Sequence, residues 1–239
     1  MHDLLANTRR LVNYLNAKDH ILFLTTSNRY EEHTDDIPKS TQLAYLVERQ
    51  LPGKDISIID VPKLNIYTCE GNISAKRGNR CGLKEAALKD KERNPTGHHR
   101  CWASFNHEDD ELDKITRVLF ESSVVIFFAS TRWGQTNSVY QRLFERLSWI
   151  ENRVSTLGEE PIPQLAGCEA GMVLLGHNWR GKEVLETQKQ NYRWFGFTVP
   201  DALSFHWQYT DDQEMESAES YREARRNFEE LIQIVLPSS

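Results

Sequence analysis

The 239-residue chain is predicted to fold as a doubly wound α/β sandwich: a five-stranded parallel sheet with helices on both faces and a long insertion after the second strand. Three observations carry this. Nearly continuous apolar runs at 20–27, 124–128 and 170–176 have the length and composition of strands buried on both faces. Each run is followed by a polar loop and then an amphipathic helical segment, the alternation that gives parallel strands joined by right-handed crossovers. The polar loops lie at the strands' carboxyl ends, where open α/β sheets bind ligands.

Composition narrows the class. Hydrophobic residues make up 39% of the chain and aromatics 10%, enough for a packed core. No apolar run reaches the roughly 20 residues of a membrane helix. The first ten residues scatter charge where a secretory signal would run from basic to apolar. A cytoplasmic protein with no membrane partner is therefore expected. A net charge of -6 supplies no basic footprint for nucleic acid. In such a compartment Cys69, Cys81, Cys101 and Cys168 are expected as thiols rather than disulfides.

The elements follow in order within one domain, 1–239. Leu4, Leu5, Leu11, Val12 and Leu15 recur at helical spacing, so 1–19 is a helical extension covering a sheet edge or a dimer contact. The run 20–27 is the first strand. After a long polar loop, Ser40-Thr41 opens a helix bearing Leu43, Leu46, Val47 and Leu51, with Ser40 as its candidate N-cap. Residues 55–60 form the second strand. From 61 to 108 periodicity fails apart from a short possible helix at 83–91, and so long a connection signals a functional or partner-binding insertion. Its Cys69, Cys81, His98, His99, Cys101 and His107 lack the paired spacing of a zinc site, so no metal is expected, and the histidines are placed at the surface.

Asp109-Asp110-Glu111 precedes a helix with Leu112, Ile115, Leu119 and Phe120 on one face, the acids suiting the positive end of its dipole. The strand at 124–128 leads to Ser130-Thr131-Arg132-Trp133-Gly134-Gln135-Thr136-Asn137-Ser138, and then to a helix marked by Val139, Leu143, Leu147 and Ile150. Asn137 or Ser138 caps it, and Arg142, Glu145 and Arg146 are assigned to its solvated or dimer-facing side. The fourth strand, 170–176, ends in His177-Asn178-Trp179-Arg180-Gly181. A helix from 182 to 194 and a fifth strand at 202–207 follow, and 211–239 is a carboxyl-terminal helical extension.

The loops 25–41, 130–138 and 177–181 should therefore meet at one sheet edge. The first offers hydroxyls, Arg29 and a helix start, the elements of a phosphate site. It contains neither G-x-x-x-x-G-K-[ST] nor G-x-G-x-x-G. The other two loops offer amides, an arginine and tryptophans, which suit a planar heteroaromatic ring. No cysteine is followed by the arginine of a C-x5-R phosphatase loop.

In these residues the chain resembles the flavodoxin-like NAD(P)H-dependent FMN reductases. The matching features are Thr26-Ser27-Asn28-Arg29 with Ser40-Thr41, then Thr131-Arg132-Trp133-Gly134 before a helix ending Glu145-Arg146, and the acidic pair Asp109-Asp110. The resemblance spans 20 to about 207. Ser130 stands where the family has proline, the first loop is lengthened by 30–39, and a Cys-x-x-Cys-x-x-Cys segment is reduced to Cys69. The resemblance implies a flavodoxin-like fold binding FMN. Thr26, Ser27, Arg29, Ser40 and Thr41 would hold the phosphate. Thr131, Arg132, Trp133, Gly134 and Gln135 would line the isoalloxazine, with His177 and Asn178 closing the other side. It further implies hydride transfer from NADH or NADPH to the flavin and on to a quinone, a nitro or azo compound, or free flavin. No catalytic side chain or metal is required, and a homodimer or homotetramer is expected. The alternative is an FMN-binding electron carrier or regulatory module without NAD(P)H reductase activity.

Overall fold

The computed structural model describes residues 2–28, 37–71, 81–176, 180–208 and 218–235. Its sheet contains β1 (Ile21–Thr25), β2 (Ile56–Asp60), β3 (Val124–Arg132), β4 (Gln135–Thr136), β5 (Glu169–Gly176) and β6 (Phe205–Gln208). The order is β2-β1-β3-β5-β6, all parallel, with β4 paired antiparallel to the end of β3. Apart from that hairpin this is the predicted five-stranded, flavodoxin-like sheet. β3 lies at its centre, with Ile21 opposite Val124 on one side and Ala170 opposite Val125 on the other.

The helices are α1 (His2–Leu15), α2 (Lys39–Arg49), α3 (Trp102–Asn106), α4 (Leu112–Leu119), α5 (Ser138–Leu147), α6 (Trp149–Ser155), α7 (Gly181–Trp194) and α8 (Ala218–Val235). Strand side chains alternate between faces, and the continuous apolar run of β3 divides accordingly. Val124, Ile126 and Phe128 join a core with Leu11 of α1, Leu43 and Val47 of α2, and Phe228 and Leu231 of α8. Val125, Phe127 and Ala129 join a second core with Leu112 and Ile115 of α4, Leu143 of α5 and Tyr192 of α7. Both sheet faces are thus covered, which is why the run carries no polar position before Ser130. At about 25 cal/mol per Å² of apolar area, burial on two faces is the main term holding the central strand.

Several sequence expectations shift. Helix α2 begins at Lys39 with Pro38 at its N-cap, so Ser40 sits inside the first turn. Pro38 has no backbone N–H to leave unsatisfied and fixes the φ of the entry. The expected helix at 83–91 is only a 3-10 turn, Lys84–Ala86, while α3 arises unpredicted at Trp102–Asn106. The expected single helix from 138 to 150 divides at Ser148 into α5 and α6. The last strand starts at Phe205, because Asp201–Leu203 forms a 3-10 turn. That turn crosses β5 so closely that a Cβ on Gly171 would lie 2.2 Å from the Leu203 carbonyl oxygen.

Candidate functional site

The carboxyl edge of the sheet is tied together by short hydroxyl and amide side chains. Past β1, the Thr26 amide and hydroxyl both donate to the Phe128 carbonyl, at 3.0 and 3.1 Å. Asn137 Nδ2 donates to Thr26 Oγ1 at 3.2 Å and to Ser130 Oγ at 3.3 Å. Its Oδ1 accepts from the Tyr140 amide at 3.0 Å, so of the two expected caps Asn137 is the one that caps α5, and Ser138 is the first helical residue. One asparagine therefore joins the exit of β1, the end of β3 and the start of α5.

The start of α2 is built differently. Its N-cap makes no side-chain hydrogen bond, so the first-turn amides keep donors that nothing in the cap satisfies. Ser40 Oγ donates to Ser27 Oγ at 2.8 Å, and both residues are buried. Thr41, in the same turn, is 3% exposed, and its hydroxyl has no hydrogen-bond partner among the described residues. Open helix amides, two coupled serine hydroxyls and an orphaned threonine hydroxyl are the donor set that a phosphate takes up. The residues present fit the phosphate of a flavin mononucleotide. Ser27 and Ser40 come together, Thr41 follows in the same helix turn, and Thr26 is held by Phe128 and Asn137; Arg29 lies outside the described residues.

The loop after the centre of β3 is a hairpin rather than an open loop. β3 continues through Thr131 and Arg132, and Gln135–Thr136 returns as β4, with Arg132 opposite Gln135. Trp133 and Gly134 form the two-residue turn with φ of 48° and 68°, the left-handed pair of a type I′ turn. Glycine at the second position meets this requirement without strain, whereas a tryptophan at the first does not. Trp133 is 90% exposed, and Arg132 and Gln135 are exposed beside it. Behind them Thr131 is buried, with its hydroxyl unpartnered among the described residues. Its backbone runs against Gly176 at the end of β5, where an added Cβ would lie 3.2 Å from the Thr131 amide nitrogen. His177 and Asn178 lie outside the described residues. α7 starts with Arg180 in the left-handed conformation at its N-cap, without a side-chain cap.

Sequence reasoning missed the polar centre that fixes the insertion. Arg146 and Asp110 form a bidentate pair at 2.7 and 2.8 Å, with both side chains fully buried. Arg146 also donates to the Tyr67 carbonyl at 2.8 Å, to Ser104 Oγ at 2.9 Å and to Cys101 Sγ at 3.2 Å, so all five guanidinium N–H groups have acceptors. Ser104 Oγ and the amides of Tyr67 and Leu112 donate to Asp110. Burial raises the Asp110 carboxyl, but the Arg146 and Ser104 bonds outweigh it and hold the group below the usual carboxylate range. Arg146, expected on a solvated or dimer-facing side, is instead fully buried. The contrary signal is its place in the series 139, 143, 146, 150, a 4-3-4 spacing on the apolar stripe. His99, expected at the surface, is 1% exposed.

No family model matches this sequence, and no curated protein matches it. Solved structures do match the fold. One is RosB with bound 8-demethyl-8-formylriboflavin-5′-phosphate, at 14% identity over 90% of this chain and 75% of that one, with a TM-score of 0.53. Another is azoreductase AzrA, at 13% identity over 90% and 98% of the two chains, TM-score 0.49. A third is FerB, a flavoenzyme NAD(P)H:(acceptor) oxidoreductase from Paracoccus denitrificans, at 10% identity over 92% and 97%, TM-score 0.45. The fold is flavodoxin-like. Among the described residues no helix is long and apolar enough to cross a membrane.

Proposed function

We propose that the protein is an FMN-dependent oxidoreductase that takes a hydride from NADH or NADPH and reduces a quinone, a nitro or azo compound, or free flavin. The observation that carries this is the open start of α2, where Ser27 and Ser40 share a hydrogen bond beside the orphaned hydroxyl of Thr41. The fold shared with RosB, solved with a riboflavin phosphate derivative, supports the choice of a flavin. The motif at 131–135, carried by the hairpin, supports the seat of its ring.

FMN, when bound, supplies hydride acceptance and release, and the protein supplies position and charge. In this reading the α2 amides and the hydroxyls of Ser27, Ser40 and Thr41 bind the phosphate, with Thr26 buttressing the turn through Phe128 and Asn137. Arg29 would add charge there. Arg132 contributes a positive charge at the hairpin that favours an anionic reduced ring, Trp133 a planar surface, and Gly134 and Gln135 backbone amides at the ring's polar edge. Thr131, buried behind the hairpin, has a hydroxyl free to meet the ligand. His177 and Asn178, which follow Gly176 in the sequence, would close the other side of the ring.

The test is the visible absorbance of the purified protein, followed by NADH and NADPH oxidation with quinone and azo acceptors. A flavin spectrum with turnover is the expected result. A flavin spectrum without nicotinamide oxidation would make the protein an electron carrier, and a colourless protein with no affinity for added FMN would remove the reading altogether.

A further inference from the structure

One side chain spans the two parts of the carboxyl edge that the flavin reading uses separately. Asn137 is buried, and every one of its polar atoms is engaged. Its amide N–H donates to the Ser130 carbonyl at 2.9 Å, which closes the hairpin of 131–136 at its base, and its carbonyl accepts from the Gln141 amide at 3.1 Å. In the side chain, Oδ1 accepts from the Tyr140 amide at 3.0 Å. The two Nδ2 protons go to Thr26 Oγ1 at 3.2 Å and to Ser130 Oγ at 3.3 Å. The orientation is determined at both ends: Oδ1 faces a donor, and Nδ2 faces a Thr26 hydroxyl whose own proton is on the Phe128 carbonyl.

A helix cap alone asks for less. Asn, Asp and Ser cap about equally well, because the cap needs only an oxygen facing the first-turn amides. The Nδ2 donors are surplus to that task, and they reach the exit of β1 and the end of β3. Thr26 lies between β1 and Ser27, whose hydroxyl accepts from Ser40 in the first turn of α2. Ser130 directly precedes the first hairpin pair, Thr131 with Thr136. The post carrying both donors is held firmly. Tyr140, in the first turn of α5, is buried, and its hydroxyl is bonded on α7 to Tyr192 at 2.8 Å and to Gln188 at 2.9 Å. Asn137 Nδ2 therefore fixes the gap between the entry to the proposed phosphate seat and the base of the hairpin proposed to carry the ring.

We propose that Asn137 is a positioning residue for FMN, its side-chain amide setting the spacing of the phosphate and ring seats so that one ligand holds both at once. This rests on the flavin reading. A ligand with two ends gains from its second contact only as far as the spacing of the two seats is preset. FMN spans both seats, whereas riboflavin lacks the phosphate and inorganic phosphate lacks the ring. Loosening the tie should therefore penalise FMN alone.

The test titrates the full-length, flavin-free protein and its Asn137→Ser variant with FMN, and with riboflavin and inorganic phosphate as one-ended ligands. Serine keeps a cap oxygen for α5 but is too short to reach Thr26 and Ser130. FMN affinity should fall about tenfold, the scale of one good neutral hydrogen bond, while each one-ended ligand should change by less than about twofold. A variant that merely damaged the fold would weaken all three. Equal losses for FMN and the one-ended ligands, or an unchanged FMN affinity, would overturn the proposal. If Asn137→Ser does not fold, Thr26→Val removes the acceptor on the far side of the same tie and should show the same selective loss; an unselective loss or none rejects the tie. A wild-type protein that binds no flavin would remove the flavin reading and this proposal with it. A wild type that binds FMN, beside variants that bind it equally well, would remove the proposal alone.

Discussion

Arg146 of α5 and Asp110, just before α4, hold each other in a bidentate pair with both side chains at 0% exposure. Through Tyr67, Cys101 and Ser104 the same pair binds both arms of the insertion to the helix layer. Removing one partner would leave the other charge buried without compensation, which costs about 3–5 kcal/mol. Arg146→Met and Asp110→Asn should each lower the stability measured by denaturant unfolding by about that much. The double variant Arg146→Met/Asp110→Leu should recover part of the loss, because no lone charge remains. A loss below about 1 kcal/mol in both single variants, within the range of exposed pairs, would show that the pair does not anchor the insertion.

Acid should unfold this protein through His99 before its carboxylates titrate. Burial, then the Arg146 charge, push the His99 imidazole down from 6.5 to about 3. A folded pKa below the unfolded one means the unfolded chain binds the extra proton first. The stability held by neutral His99 is therefore complete above 6.5 and drains away as pH falls toward about 3. The slope is at most about 1.4 kcal/mol per pH unit for one proton. Asp110, held low by Arg146 against its burial, adds a loss with the same sign at more acidic pH, below its ordinary value of 3.8. Urea midpoints measured from pH 7 to pH 4 should fall steeply in the wild type and clearly less in His99→Gln. Equal slopes would show that His99 does not carry the dependence.

Much of this was legible in the chain because burial on two faces leaves an unambiguous mark. The runs at 20–27, 124–128 and 170–176 became β1, β3 and β5, and Asn137 caps α5 as its position before an apolar series suggested. What could not be read depends on contacts distant in sequence. Arg146 looks solvated from its type, and only Asp110, 36 residues away, makes its burial possible. The insertion has no period because its residues are held by polar contacts such as Asn94 Nδ2 to the Leu88 and His99 carbonyls. The hairpin after β3 was hidden because a tryptophan occupies a turn position that usually signals itself with Asn, Asp or Gly. At the candidate site, Ser27 and Ser40 stand on the two ends of the loop that the sequence singles out, while their hydrogen bond and the displacement of the N-cap to Pro38 were not visible.

The proposed phosphate seat predicts a graded loss of flavin. Thr41→Val keeps the shape of the side chain and removes its unpartnered hydroxyl, so folding should be unharmed or slightly favoured. If that hydroxyl bonds a phosphate oxygen, its loss costs about 1.5–3 kcal/mol of binding, roughly 10- to 150-fold in FMN affinity. Ser40→Ala should weaken FMN as well, and also leave Ser27 without its 2.8 Å donor. Titration with riboflavin separates the causes: the wild type should bind riboflavin weakly, and Thr41→Val should change that affinity little. Equal affinity of the wild type for riboflavin and FMN would place the phosphate elsewhere.

The hairpin predicts a trade between stability and ligand. Trp133 holds a left-handed φ of 48° while 90% exposed, and a left-handed backbone costs a bulky residue about 1–2 kcal/mol. Asparagine tolerates this conformation and is favoured in type I′ turns. Trp133→Asn should therefore raise the thermal midpoint of the flavin-free protein, by about 2–4 °C for each kcal/mol of strain relieved. If the indole serves the flavin or the acceptor, the same variant should lose flavin content or acceptor turnover despite its greater stability. Arg132→Ala, which changes charge and leaves the turn geometry intact, should weaken the flavin without the gain in midpoint. A Trp133→Asn protein that is less stable than the wild type would mean that the ring packs for the fold. Unchanged flavin content and turnover in both variants would remove the hairpin from the proposed site.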